Sequence, residues 1–241
     1  MFLNRPVARP VSVRCSRLRT IVGQYAPCTL CSDLGIPPDN RRVAYALLAA
    51  VLLPIQVKVL FVAESPPQLN KRGRETYFFL PEDEPALQDR SGLFWALAEI
   101  LKLPEACGTS FELAEKSRAQ WKTPLLREFC RRGYWLLDSA KCAVNGLNEG
   151  RSRDGVVRQC ANSWLRKELE VVSPEHIVLI KANVFREVRP LLQSWGFGER
   201  VLNDRAIPHP GSGQQGNFRE LLGAVMEAHP GPFGLDAAGA T

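Results

Sequence analysis

The 241-residue chain has little of several features that mark well-known protein classes. Its longest apolar run, Val43 to Ile55, is too short to cross a bilayer, so we predict a buried helix there and no membrane partner. A P-loop is absent, which argues against a nucleotide-metabolising enzyme with a zinc site. There is no secretory signal, and the seven cysteines are odd in number and scattered. These features favour a cytoplasmic protein with metal-ligating cysteines over a disulfide framework.

Acidic residues are missing from the start of the chain. Residues 1–32 hold five arginines, and the first acid is Asp33, while the whole chain has a net charge of +6 and a pI near 9.1. Such a charge favours a polyanionic partner such as DNA. We predict a loosely ordered basic arm at residues 1–24, for which a DNA-tracking tail and a transit-like leader are alternatives. Residues 25–229 then form one domain of a monomeric protein, and residues 230–241 form a flexible tail.

Strand-like and helix-like patterns alternate along the chain. Continuous apolar runs at Val57–Ala63, Tyr134–Leu137 and His176–Ile180 have the composition of buried parallel strands, and Arg205–Pro208 is a shorter fourth segment. Helical patterns separate these segments. We therefore predict an α/β domain with a central parallel four-stranded sheet and helices on both faces.

Polar residues follow the predicted strands where each one ends. Glu64 follows the first strand, Asp138 follows the second, and His209 follows the last segment. In open α/β sheets, ligands bind at the carboxyl ends of the strands. We therefore predict that these three side chains lie in one cleft.

Four cysteines have a spacing that suits a metal site: Cys28, Cys31, Cys142 and Cys160. Two close and two distant thiolates can hold an iron–sulfur cluster or a zinc ion. The alternative is that they are ordinary buried cysteines, which pack as small apolar residues. Cys15 is near enough to the C-x2-C pair to be a rival ligand.

Taken in order, these motifs resemble the uracil-DNA glycosylase superfamily, most of all its iron–sulfur-containing thermophile-type branch. That branch has a C-x2-C near its start, a strand ending in Gly-Glu-Ala-Pro-Gly, an Asn-Val-Val-Lys-Cys strand end, a fourth Cys opening a helix and a late His-Pro motif. The counterparts here are Cys28 and Cys31, residues 63–67, residues 138–142, Cys160, and His209 with Pro210. The resemblance runs from about Cys28 to Leu222. It implies a DNA glycosylase of base excision repair that hydrolyses the N-glycosidic bond of a flipped uracil or other altered base, with a structural 4Fe-4S cluster.

The chemistry of glycosidic bond cleavage assigns expected roles to individual residues. Glu64 would orient or deprotonate the attacking water, and His209 would donate a hydrogen bond to the departing base. Tyr77 or Phe78 would stack on the flipped base. The expected DNA-binding residues are Lys71, Arg72 and Arg74 in a basic loop, and Ser212 and Gln214 in the loop after His209.

Three departures from the family pattern matter: the residues that flank Glu64, the identity of Asp138, and the loop of residues 211–216, in which no residue that wedges into the duplex can be assigned. Ala63 and Pro67 replace glycines that flank Glu64, and Lys181 stands where a glycine is usual. Asp138 stands where the family has a base-reading Asn. An ionised Asp138 would repel the O4 acceptor of uracil, whereas a neutral one could pair with uracil or with cytosine. An altered pyrimidine is therefore a rival substrate, and a non-catalytic uracil- or damaged-DNA-binding protein of the same fold is the second hypothesis.

Overall fold

The computed structural model describes residues 11–24, 28, 41–66, 77–79, 92–144, 151–211 and 213–235. Most of the predicted site residues fall within these ranges. The ones that lie outside the described residues are Cys31, Lys71, Arg72, Arg74 and Ser212.

A small parallel sheet lies at the centre of the described structure. Its strands are β1 (Val59–Ala63), β2 (Tyr134–Asp138) and β3 (His176–Leu179), in the order β2-β1-β3. Nearly every strand residue is buried, as expected for parallel strands covered on both faces. In the register, Ala63 pairs with Asp138, so β1 and β2 end side by side. The protein is thus a mixed α/β fold with an open parallel sheet, as predicted.

The predicted fourth strand is not confirmed, since the described residues form three strands. A later segment of the chain lies beside the outer edge of β3. It forms isolated parallel bridges there, one of them between Ile207 and Ile180, the residue after β3. Part of the ladder is replaced by the side chain of Asn203, which accepts from Leu179 N (2.9 Å) and donates to Leu179 O (3.1 Å). Because a side chain occupies these backbone groups, a continuous strand does not form along this edge.

Helices surround the sheet. They are α1 (Val11–Gly23), α2 (Arg41–Val51), α3 (Leu93–Ile100), α4 (Leu103–Ala106), α5 (Phe111–Lys116), α6 (Arg118–Arg131), α7 (Arg151–Cys160), α8 (Arg166–Val172), α9 (Ala182–Ser194) and α10 (Gln215–Ala228). A π-helical turn (Ala161–Leu165) joins α7 to α8, and 3₁₀ turns lie at Gly198–Arg200 and Gly231–Phe233. Helix α6 packs against β2, and α9 packs against β3. Of the described helices, none has both the length and the hydrophobicity that a membrane span requires.

Helix α1 occupies part of the segment predicted as a loosely ordered arm. It packs against α2 and α8. Arg14 is 4% exposed and donates hydrogen bonds to backbone carbonyls at the ends of two other segments. The acceptors are the carbonyls of Pro54, Ile55, Val171 and Val172. Arg14, which the sequence assigns to a basic arm, is thus buried, and its hydrogen bonds hold α1 against α8 and against the segment after α2.

Two further boundaries differ from the prediction. Cys160 is the last residue of α7, which begins at Arg151, so Cys160 does not open a helix. The first half of α7 is almost entirely polar, and this conceals its helical periodicity. At the other end of the chain, Phe233 is 3% exposed and its carbonyl accepts from the Tyr134 hydroxyl at 2.9 Å. The first residues of the predicted flexible tail therefore pack on the domain.

Candidate active site

Glu64 lies at the carboxyl edge of the sheet, directly after β1. The pairing of β1 with β2 continues past the strand ends, because Ala140 N and Ser139 Oγ both donate to Glu64 O, at 2.7 and 2.9 Å. These bonds hold the Glu64 backbone beside residues 138–140. The Glu64 side chain is 5% exposed.

The Glu64 carboxylate is surrounded by donors. Arg153 binds both oxygens, with Nε 2.6 Å from Oε1 and Nη2 2.5 Å from Oε2. Lys181 Nζ donates to Oε2 at 2.5 Å, and Asn183 Nδ2 donates to Oε1. Each oxygen thus accepts two hydrogen bonds from charged or polar side chains, which is close to the capacity of a carboxylate.

These contacts determine the charge of Glu64. Burial by itself raises the pKa of Glu64, but the hydrogen bonds from Arg153, Lys181 and Asn183 and the positive charge of Lys181 outweigh it. The pKa of Glu64 is therefore lowered, and the group is ionised at neutral pH. Such a carboxylate is a weak base, so it is better suited to stabilise a cation beside it, or to orient a water, than to remove a proton.

His209 has a defined tautomer. Gly211 N donates to His209 Nδ1 at 3.1 Å, so the neutral ring carries its hydrogen on Nε2. A Cβ at residue 211 would lie 3.1 Å from Nδ1, so any other residue there would require the imidazole to shift slightly. The imidazole is solvent-accessible, yet partial removal from water lowers its pKa, as does the charge of Lys181, with Glu64 opposing. His209 is thus a neutral hydrogen-bond donor through Nε2.

Asp138, at the end of β2, has the opposite electrostatic character from Glu64. It is 8% exposed, and among the described residues none donates a hydrogen bond to its carboxyl group. Burial raises the pKa of Asp138 to about 7; Lys141 opposes this shift, and Glu168 and Glu64 add to it. A substantial neutral fraction therefore exists at physiological pH, and a neutral carboxyl group is both donor and acceptor.

Asp138 lines a cavity of about 40 Å³ between α1, α2 and β2. The polar part of the wall includes Asp138 and Lys141, and Pro66 and Tyr77 lie beside them. Helices α1 and α2 contribute an apolar part of the wall. A cavity of this size holds about three water molecules, which is too little for a pyrimidine ring. A base could bind here only if part of the wall moved.

The two predicted stacking residues have different surroundings. Tyr77 lines the cavity with Asp138. Phe78 instead packs in an aromatic cluster, with ring centroids 5.0 Å from Phe79 and 5.3 Å from both Phe94 and Phe129. Of the two, Tyr77 is therefore the one placed to stack on a ligand.

The predicted metal ligands are partly brought together. Cys160 Sγ accepts a hydrogen bond from the backbone N of Lys141 at 3.2 Å, so it lies against the residue before Cys142. Cys142 and Cys160 are both buried, and Cys28 is half-buried against the core. Backbone N–H groups directed at sulfur are typical of cluster ligands. Within the described part of the chain, which excludes Cys31, no three potential metal-ligating side chains form a group that could hold a metal ion. The cluster therefore stays a prediction.

Lys141 connects the end of β2 to α8. Its Nζ donates to Asp138 O and to Glu168 Oε2, each at 2.5 Å, and both Lys141 and Glu168 are buried. The contact fixes the backbone of the segment between Asp138 and Cys142.

Gln214 lies in the loop after His209. Its backbone N–H donates to Gly211 O at 3.2 Å, and its side chain is exposed.

Two residues of the Glu64 cluster carry no local signal in the sequence. Arg153 and Asn183 are 89 and 119 residues from Glu64, and neither is part of a recognisable motif. Lys181 does carry a signal, since the glycosylases that the motifs resemble usually have a glycine at this position.

Comparison with protein-family models, with curated proteins and with solved structures gives no significant match to this chain. The resemblance to uracil-DNA glycosylases therefore rests on the motifs alone and remains a prediction.

Proposed function

We propose that the protein is a DNA glycosylase-like enzyme that hydrolyses the N-glycosidic bond of a flipped uracil or other altered base in DNA. The observation that carries the proposal is the position of Glu64 and Asp138 at the adjacent ends of β1 and β2, where the charge of Glu64 also acts on His209. Three polar groups with different protonation behaviour thus lie close enough for their charges to interact, and pairs of differently shifted groups are typical of acid–base sites.

Each group has a distinct task in this reaction. As the base leaves, the sugar gains positive charge and the base gains negative charge. The Glu64 anion stabilises the cationic sugar and orients the attacking water, whose released proton neutralises the anion of the departed base. His209 Nε2–H donates to the base oxygen on which negative charge develops. A neutral Asp138 reads the base edge through one donor and one acceptor, and Tyr77 stacks on the base face.

Further features suit a DNA substrate in a reducing compartment. The net charge of +6 favours binding to the phosphate backbone. Cys28, Cys31, Cys142 and Cys160 would hold a 4Fe-4S cluster, or zinc, in the reducing cytoplasm. Such a centre would tie the chain together and take no part in hydrolysis.

A second candidate function is a non-catalytic reader of uracil-containing or damaged DNA. The specific observation in its favour is the occupancy of the Glu64 carboxylate by Arg153, Lys181 and Asn183. With both oxygens engaged, Glu64 has little capacity left for a catalytic water.

A base-release assay separates the two functions. The protein, purified without oxygen, is incubated with labelled oligonucleotides that each carry one uracil, hypoxanthine, xanthine, modified pyrimidine or normal base. We expect abasic sites with at least one of them, and a much slower reaction with Glu64→Gln. Tight DNA binding without any abasic product would favour the reader. Absence of both would reject the proposal.

A further inference from the structure

Lys181 has a backbone conformation that is costly for any residue except glycine. Its φ is 89° and its ψ is 141°, immediately before α9. Lys102 (φ 51°, ψ 44°) and Ser173 (φ 47°, ψ 59°), the other described non-glycine residues with positive φ, lie in the ordinary left-handed region. The conformation of Lys181 lies outside that region, and such residues persist where the surrounding structure imposes them, often at functional sites.

The strained backbone is held by main-chain bonds. Lys181 N donates to Ile207 O at 2.6 Å, and Lys181 O accepts from Phe185 N at 3.0 Å. This anchor directs the side chain toward Glu64, where the ammonium binds Oε2 at 2.5 Å. A glycine would adopt the same backbone without strain but would bring no charge. Because lysine is present at this position in spite of the strain, we expect its ammonium group to have a function.

The two cations on Glu64 differ in how firmly they are held. The Arg153 side chain is 8% exposed and binds both carboxylate oxygens. The Lys181 side chain is 30% exposed and binds Oε2 only. Lys181 also has a long flexible stem, whereas the planar guanidinium group of Arg153 fits the carboxylate in one geometry. Lys181 is thus the partner that can leave while Glu64 stays ionised and paired.

We propose that Lys181 is a positioning residue with two states: it pairs with Glu64 in the empty cleft and moves to a DNA phosphate when a nucleotide binds. Its departure frees Glu64 Oε2 to hold the attacking water. A phosphate is the fitting acceptor, because an ammonium group that leaves a carboxylate needs another anion, and each bound nucleotide brings one. The inference rests on the proposed function, because it requires DNA in the cleft. It also reconciles the occupied state of Glu64 with a catalytic role.

The test compares Lys181→Gly, which removes both the ammonium group and the strain, with Lys181→Ala, which removes only the ammonium group. Lys102→Gly is the matched control, since it also replaces a positive-φ lysine by glycine, at an exposed site. Binding to a labelled duplex with one uracil opposite guanine is measured by fluorescence anisotropy over a series of salt concentrations. Single-turnover base release and melting temperature are recorded for each variant.

The slope of log K against log salt is negative, and we expect Lys181→Gly and Lys181→Ala to reduce its magnitude by about 0.9, the value for one lost phosphate contact. Lys102→Gly should leave the slope unchanged. Lys181→Gly should melt above Lys181→Ala, because glycine relieves the backbone strain. A lysine with a purely structural role predicts unchanged slopes for both variants.

The outcomes keep this inference separate from the proposed function. Wild-type protein that binds DNA, together with Lys181 variants of unchanged salt slope, would overturn only the phosphate role. An unchanged slope with slower base release would also overturn it, since the effect of Lys181 would then be on the reaction and not on DNA binding. Wild-type protein that does not bind DNA would overturn both proposals.

Discussion

Glu64 and Asp138 are buried to a similar extent at neighbouring strand ends, yet their pKa values shift in opposite directions. Burial raises the pKa of both carboxyl groups. Glu64 receives hydrogen bonds from Arg153, Lys181 and Asn183, which reverse the shift, whereas Asp138 receives none from the described residues. Local partners, and not depth in the protein, therefore determine which carboxyl group is an anion and which is a neutral acid.

The raised pKa of Asp138 predicts a pH dependence of stability. Between its ordinary value of 3.8 and about 7, the folded state keeps a proton that the unfolded state has released. This group's contribution to the free energy of unfolding is complete below that window and is lost as pH rises through it. The slope is at most about 1.4 kcal/mol per pH unit. Asp138→Asn should remove this slope, as measured by urea denaturation across the window.

The exposed residue Asp204 provides the control for this experiment. Asp204→Asn should leave the pH dependence as in the wild type, and stability curves of the same shape for Asp138→Asn and wild type would contradict the assignment.

Asp138→Asn should also shift base release toward uracil, because an amide presents both the donor and the acceptor that uracil needs. An unaltered substrate profile would remove Asp138 from base reading.

Glu64→Gln should slow base release and leave DNA binding intact. It should also destabilise the fold by about 3–5 kcal/mol, because Arg153 would keep a buried charge without its anion. The pKa of Glu64 is lowered, so its contribution to stability is present above the usual range for Glu and is lost as pH falls through the folded-state pKa. Urea denaturation at neutral and acid pH measures the destabilisation and its pH dependence. Glu227→Gln, at an exposed position on α10, should change neither stability nor rate.

At the scale of secondary-structure elements, α1 has two roles. It forms part of the wall of the cavity that contains Asp138, and it is held to α8 and to the segment after α2 by Arg14. Since the cavity is smaller than a base, the freedom of α1 to move bears directly on whether a base can enter. The hydrogen bonds of Arg14 therefore link the stability of α1 to the entry of a base into the cavity beside Asp138.

Arg14→Met should destabilise the protein by about 2–4 kcal/mol, because several buried carbonyl groups lose their donor. Amide hydrogen exchange should increase in α1 more than in the strands. Arg17→Met on the same helix is the control; Arg17 is exposed, so the change should stay within about 0.5 kcal/mol. Equal effects of the two substitutions would show that Arg14 does not clamp the helix.

At the scale of the whole molecule, the cysteine quartet would join distant parts of the chain. Cys142→Ser should lose metal and stability together, as measured by elemental analysis for iron and zinc, the visible spectrum and thermal denaturation. Cys130→Ser is the matched control, because Cys130 is also buried and burial raises its pKa to about 12, which disfavours a thiolate. It should keep its metal despite some loss of stability. Full metal content in Cys142→Ser would show that these four cysteines do not hold a metal centre together.

The amino-acid sequence by itself determined the strands of the sheet and the polar residues at the ends of β1 and β2. Apolar runs such as Val59–Ala63 are local signals, and parallel strands end at a common edge, so the positions of Glu64 and Asp138 could be inferred without coordinates. The same local reasoning extended the sheet to a fourth strand, which is not confirmed, because the Asn203 side chain occupies backbone groups of β3 and the described residues beyond it form isolated bridges.

Only the tertiary structure decided which side chains meet. The bonds of Glu64 with Arg153 and Asn183 span 89 and 119 residues, and no periodicity in the sequence encodes such pairings. Tyr77 and Phe78 are adjacent and both aromatic, yet one lines a cavity and the other packs in the core. Secondary structure follows from local preference. The charge of a carboxyl group depends on partners that are brought close only when the whole chain packs, because electrostatic and hydrogen-bonding interactions act over short distances in space, whatever the separation along the chain.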